Sequence, residues 1–482
     1  MTTAPTFRIA SVERFERPVR LRIPFRFGAA TVREARQAFV RARIEFPHGA
    51  IETGAAAEMM MPKWFDKSQE HTEADNIADL RDSPAAAADA YTADATRRSA
   101  FGHHAASYRP LLLAAEARRS NALTACFGAA LVDRAVLDAL CRHEGASFNA
   151  AMRANLPGID GAALTSDLGG FDLATFLPAL QPRSAVALRH TVGLLDPLTG
   201  DDAGVHLGDG LPETLEQVIA TYRPQYFKLK LSGDPAADLE RISRTAAVLE
   251  RIADPYHVTL DGNEQFDDVD SVIALWQSIA AQGALARFAA SVLWIEQPLP
   301  RNMAEHVSVA SLGRIRPVLI DESDATLDAF PRARALGYNG VSSKSCKGFY
   351  KSVLNAARCA HWNSAGDASR YFLSGEDLTA PAGLAVQQDL ALVGLLGIAH
   401  VERNGHHYVD GFTGQGASEG EQQRFLAAHP DLYEGSRDAV RIAIRDGKLG
   451  FASLDRPGYA SRAHPDWQSL EPTGALVATE HP

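Results

Sequence analysis

Four stretches between Phe227 and Ser323 hold residue types that could do chemistry: Phe227-Lys228-Leu229-Lys230, Leu260-Asp261-Gly262-Asn263, Trp294-Ile295-Glu296-Gln297-Pro298 and Ile320-Asp321-Glu322-Ser323. Each reads as a buried apolar strand that ends in charged residues, and an unpaired charge at such a place is costly to desolvate. Two lysines followed by three carboxylates point to a cation site with a base beside it. Side chains two apart on a strand share a side, so Lys228 and Lys230 can both face inward, as can Asp261 and Asn263. Asp261, Glu296 and Asp321 then supply three hard oxygen ligands from three consecutive strands, with no cysteine nearby. That set suits Mg²⁺, whose remaining positions go to water and substrate. Any one of these acids could equally cap a helix or pair with a lysine; it is the set of three that favours the metal.

Lys230 could be a plain ion-pair partner of those acids. Crowded by a second lysine and a metal, however, a lysine's pKa falls toward neutrality and it becomes a usable base. A later run, Ser342-Ser343-Lys344-Ser345-Cys346-Lys347, adds Lys344 on what reads as the sixth strand of a barrel. Strands two and six face each other across such a barrel, so Lys230 and Lys344 would flank a substrate from opposite sides. A racemase or epimerase needs that arrangement, because one base removes a proton and the other returns it. Lys347 reads as a helix-start or supporting residue, and Cys346 as packing.

The elements that must position these residues follow from the texture of the chain. After Gln181-Pro182-Arg183, short apolar runs alternate with helical segments: VALRHTVGLL, QYFKLKL, HVTLDGN, VLWIEQP, PVLIDES, GVSSKS, YFLSGE and IAHVE. Alternating strands and helices imply right-handed βαβ units and a parallel sheet. Eight of them fit a closed (β/α)8-type, TIM-like barrel, and no Gly-rich phosphate turn argues for an open doubly wound sheet. Residues 1–182 read as an α+β capping domain with antiparallel strands over 7–53. Residues 183–410 read as the barrel, and 411–482 as a segment returning to the cap. In the tail, Asp446-Gly447 predicts a hairpin within AVRIAIRDGKLGFAS.

Bulk properties narrow the function. A chain of 482 residues is long enough for two domains, and 46% apolar with 22% charged residues fits a soluble globular protein. The net charge of −11 argues against nucleic acid or an anionic membrane as partner. Four cysteines without a CxxC pair suggest a reducing compartment, and no apolar run is long enough to serve as a signal core or to span a bilayer, so a cytoplasmic location is expected.

The chain resembles the enolase superfamily, in its mandelate racemase/muconate lactonizing enzyme-like branch. The likeness rests on Lys228-Leu229-Lys230, Asp261 with Asn263, Glu296 in IEQP, Asp321 in DES and Lys344, in that order and spacing. It extends to Ile23-Pro24-Phe25-Arg26-Phe27-Gly28, to the Ala-rich stretch from Ala129 to Leu140, and to DGKLGFASLDRPGYA. The resemblance implies a Mg²⁺-dependent enzyme in which Lys230 and the metal remove the proton α to a substrate carboxylate. The product of that step is an ene-diolate, which bound Mg²⁺ stabilises in enolase-superfamily sites. The resemblance also implies two capping segments over the barrel mouth, about Pro24–Thr31 and Met59–Phe65, with Met59, Met60, Met61 and Trp64 as an apolar lid. Lys228, Asn263, Glu376, Trp64 and Met60 are the expected substrate contacts. Glu376 could instead cap a helix, and His400, Glu402, His406 and His407 lie near the eighth strand. Homo-oligomer formation is compatible with the resemblance.

There are departures from the family pattern. Lys347 is followed by Gly348-Phe349-Tyr350 rather than paired glycines, residues 59–105 form a long insert, and Ser374-Gly375-Glu376-Asp377 is unusually acidic. The expected activity is a racemase, epimerase or cycloisomerase acting on a small-molecule carboxylate. A lyase or dehydratase acting on a hydroxy acid shares the first step, but no histidine stands at the seventh-strand end to support it. A Schiff-base aldolase would leave the three carboxylates unexplained, and a non-catalytic binding protein would not need Lys230.

Overall fold

In the cap, three long antiparallel strands, β1 (Arg8–Phe27), β2 (Ala30–Glu45) and β3 (Ile51–Met60), pair in sequence order. The computed structural model describes residues 4–204, 206–364 and 370–474. Along β2, Val40, Ala42 and Ile44 alternate into the core, while Phe39 faces the other side of the sheet with Phe15 and Trp467. β3 carries Gly54-Ala55-Ala56-Ala57, and the reason lies across the interface, where the helix Ala122–His143 runs so close that a Cβ on Gly54 would sit 2.1 Å from the Ala135 carbonyl oxygen. On the same helix, a Cβ at Gly128 would meet Ser83 and Pro84 of the helix Glu73–Thr92. Small residues on both partners are thus what allow these backbones to approach. The long insert becomes this helix and a second one, Ala100–Ala117, each starting on a side-chain cap, Thr72 and Ser99.

The eight apolar runs all become parallel strands: β4 (Ala185–Val192), β5 (Tyr226–Lys230), β6 (His257–Asp261), β7 (Val292–Glu296), β8 (Val318–Ile320), β9 (Gly340–Ser343), β10 (Phe372–Gly375) and β11 (His400–Arg403). They pair in order, and β11 closes on β4 through Val401 opposite Leu188, so the sheet is a closed barrel with helices on its outer face. The expected barrel with a capping domain is therefore the observed fold.

The tail serves both layers. The strands β12 (Tyr433–Ser436) and β13 (Ala439–Ile442) pair with each other. β14 (Lys448–Gly450) adds antiparallel to β4, and β15 (Glu471–Pro472) pairs with β1 in the cap sheet. The Asp446-Gly447 turn forms, with both residues at positive φ and Arg445 and Lys448 bonded across it. The expected hairpin does not extend beyond it, because β13 already has β12 as partner and the strand after the turn is taken by the barrel. Among the described residues no helix is long and apolar enough to cross a membrane. All four cysteines are buried and unpaired.

Candidate active site

The C-terminal ends of the barrel strands converge on one buried charge cluster. Lys228, at 0% exposure, points into the barrel from β5 and is its hub. Its Nζ lies 2.8 Å from Glu296 Oε1, 2.8 Å from Glu402 Oε2, 3.0 Å from Glu376 Oε2 and 3.0 Å from Asp261 Oδ2. Two residues on, Lys230 ends the same strand on the same side and donates to Asp261 Oδ2 at 2.6 Å. From the far wall, Lys344 follows β9 and pairs with Asp321, with Glu376 Oε2 at 3.4 Å. Lys230 and Lys344 line a common chamber of about 20 Å³ together with Phe27, Met61, Trp64 and Glu402. That is room for about one water molecule, which needs roughly 10–15 Å³.

Burial and neighbouring charge decide the protonation of these groups. Burial alone would raise the Asp261 carboxyl, but Lys228 and Lys230 hold it below the usual carboxylate range. In the same way Lys344 and Lys347 hold Asp321 well below that range, and Lys228 and Lys230 do so for Glu402. Glu296 goes the other way: burial, then the charges of Asp261 and Glu376, push it well above normal. Its Oε2 has no hydrogen-bond partner among the described residues. For Lys228 and Lys344 burial works against the charged form, but the surrounding carboxylates outweigh it and raise both well above an ordinary lysine.

A divalent cation fits this arrangement. Carboxylate oxygens of Glu296, Asp321 and Glu376 lie within 4.8 Å of one another and could share one ion. They are hard oxygen donors, and Glu296 Oε2 among them has no hydrogen-bond partner among the described residues. The trio differs from the set expected from sequence in that Asp261 is engaged by the two lysines of β5, while Glu376 stands beside Glu296 and Asp321.

The other expected contacts divide. Asn263 follows β6 in a left-handed conformation (φ 42°), its backbone N–H donating to Asp261 Oδ1 and its side chain to Glu322. Trp64 roofs the chamber, its ring 4.5 Å from Lys344 Nζ. Met60 stays in β3 opposite Arg36, and the methionine that reaches the chamber is Met61. Of the two capping segments, Pro24–Thr31 is the tip of the β1–β2 hairpin rather than a loose loop, and Met59–Phe65 is the end of β3 with the short helix Pro62–Phe65. Arg301 ties the second segment to the barrel by donating to the carbonyls of Trp64 (3.0 Å) and Phe65 (2.7 Å). Lys67 does the same through Glu264 (2.7 Å) and Glu322 (3.1 Å). A cleft of about 780 Å³ opens beside this clasp, lined by Lys63, Lys67, Glu264 and Arg301 among others. His400, His406 and His407 are not in the chamber; burial drives all three well below a normal histidine, and they are neutral.

Three further residues support the site, and sequence reasoning missed the first and the third. Gln297, also left-handed (φ 33°), accepts from the backbone N–H of Asp321 and Ser323 and so locks the ends of β7 and β8 together. Lys347 packs between Asp321 and Asp324. Arg189, buried on β4, grips Glu376 at 3.0 Å. The Gln in IEQP was a visible signal for the first; nothing local marks the third.

Residues 211–364, most of the barrel, match the family model described as enolase C-terminal domain-like. No curated protein sequence matches the chain. Among solved structures, the muconate lactonizing enzyme from Pseudomonas fluorescens complexed with muconolactone is similar at 16% identity and a TM-score of 0.57, over 96% of this chain and 98% of that one. A dipeptide epimerase from Cytophaga hutchinsonii, complexed with Mg and the dipeptide D-Ala-L-Val, is similar at 14% identity and a TM-score of 0.56, over 96% and 99%. N-succinyl Arg/Lys racemase from Bacillus cereus is similar at 14% identity and a TM-score of 0.57, over 94% and 95%. At these identities the likeness to solved structures is one of fold. The family match itself covers residues 211–364, from the helix before the second barrel strand to the helix after the sixth.

Proposed function

We propose that the protein is a Mg²⁺-dependent isomerase, a racemase, epimerase or cycloisomerase, that removes the proton α to the carboxylate of a small-molecule substrate. The observation that carries this reading is the pair Lys230 and Lys344, which line one chamber from opposite walls beside the acidic group of Glu296, Asp321 and Glu376. Those three carboxylates would hold the metal, with Asp261 beside them. A cation there would neutralise the charge that develops on the substrate carboxylate as the proton leaves.

The chain's own groups do the rest. Asp261 orients the Lys230 amine, and Asp321 the Lys344 amine. One amine takes the proton from one face, and the other delivers a proton to the opposite face. Trp64 and Met61 exclude water once the cap is closed, and the small chamber implies that this segment withdraws to admit substrate.

The test is α-proton exchange in D₂O with Mg²⁺ across a panel of carboxylic acids, including N-acylated amino acids, dipeptides and hydroxy acids. At least one acid is expected to exchange, with EDTA or Lys230→Ala lowering the rate at least a hundredfold. Lys344→Ala is expected to stop exchange from one stereoisomer only. Exchange that survives both EDTA and Lys230→Ala would falsify the mechanism. Loss of water from a hydroxy acid, in place of inversion, would move the outcome to the lyase reading with the first step unchanged.

A further inference from the structure

We propose that Arg189 is a positioning residue for the cation site, acting through Glu376. This inference rests on the reading of function above and deepens it. Arg189 lies one layer below Lys228 on the barrel floor, at 0% exposure. Its NH2 nitrogen donates to Glu376 Oε1 at 3.0 Å, to Ser374 Oγ at 2.8 Å and to the Gly375 carbonyl at 3.0 Å. The Ser374 hydroxyl then donates to the same Glu376 Oε1 at 2.7 Å. One oxygen of Glu376 is therefore clasped twice from below. Its other oxygen, Oε2, faces Lys228 at 3.0 Å and Lys344 at 3.4 Å.

Arg189 is itself fixed. Its NH1 donates to His400 Nδ1 at 2.9 Å, which a guanidinium can do only if that nitrogen is unprotonated, and its charge lies 5.2 Å from the Trp294 ring centroid. The Trp294 ring also stacks on His400, closing the floor around the guanidinium. Arg189, His400 and Trp294 lie outside the chamber lining, away from any bound substrate. Their effect is to decide which way a buried carboxylate beside Glu296 and Asp321 turns. Partners that orient ligating carboxylates typically set metal affinity by about 10- to 100-fold.

The sign of the effect separates positioning from charge. Removing a buried guanidinium makes the site more negative, which by Coulomb attraction alone would tighten cation binding. Loss of orientation would weaken it. The experiment is direct titration with Mn²⁺, read as free ion by electron spin resonance, on wild type, Arg189→Met and Arg189→Lys, each also in a Glu376→Gln background, with near-ultraviolet circular dichroism as the check on folding. Arg189→Met is expected to weaken Mn²⁺ binding at least tenfold. Arg189→Lys, which keeps the charge but not the fork, should fall between. In the Glu376→Gln background the Arg189→Met change should shrink to under about threefold. Binding that is unchanged or tighter in Arg189→Met overturns the proposal, as does an equal loss with and without Glu376. If Arg189→Met does not fold, Ser374→Ala and Arg189→Lys carry the same comparison. A wild type that binds no Mn²⁺ overturns the functional reading itself, which sets that failure apart.

Discussion

At the scale of single residues, the site is a set of buried charges that stabilise one another, and the cap holds a second such set. Glu58 on β3 is buried, 3.1 Å from Arg134, yet burial outweighs that partner and pushes its pKa up to about 7. An unfolded glutamate titrates near 4.5, so between about pH 4.5 and 7 the folded protein keeps a proton that the unfolded chain has released. The stability Glu58 contributes is therefore fully present below that window and is lost as pH rises through it. Between pH 5 and 8 wild type should lose roughly 2–3 kcal/mol more than Glu58→Gln, measured by urea unfolding. Equal losses in the two proteins would assign the pH dependence elsewhere. The candidate residues stand out in the sequence because a strand that ends in a buried lysine or acid is locally odd, and Lys230, Asp261, Glu296, Asp321 and Lys344 all end or follow strands. Arg189 was not readable. It sits inside an ordinary alternating strand, and what makes it matter, Glu376 and His400, stands 187 and 211 residues away.

At the scale of elements, the barrel declares itself through period and order, whereas the cap helices Glu73–Thr92 and Ala100–Ala117 are faint in the sequence. Their buried faces mix small and polar residues, such as Asn76, Ser83 and Ala87 on one and His103, His104 and Ser107 on the other, which gives little hydrophobic contrast, and each helix carries an internal proline, Pro84 or Pro110. Close backbone approach explains the composition and predicts its sensitivity. Gly54→Ala and Gly128→Ala each drive a methyl group into backbone at 2.1–2.2 Å and should cost about 1–3 kcal/mol or more in a urea melt. Gly283, whose added Cβ would meet nothing within 4 Å among the described residues, is the control, and its alanine variant should unfold with wild type. The Asp446-Gly447 turn marks the limit of local reading: a dipeptide can specify a turn, but the neighbour of the next strand is chosen by whichever sheet edge it reaches.

At the scale of the molecule, the tail is a structural part of the cap. Arg17 on β1 makes two 2.8 Å bonds to Glu421 of the helix Glu419–Ala428, and both side chains are buried. Arg17→Ala strands a buried carboxylate and should cost about 3–5 kcal/mol, whereas replacing both residues by methionine should recover most of it. Urea unfolding of the two variants decides this, and equal destabilisation would mean that packing alone holds the tail.

That pairing also fixes an order of events during synthesis. Residue 17 leaves the ribosome 404 residues before its partner, and β1 waits longer still for β15. With chains elongating at about 5–20 residues per second, the cap spends tens of seconds with a buried-type arginine unpaired and one sheet edge open. The barrel between them has all eight strands by Arg403, so it can close first and serve as the surface on which the cap is completed.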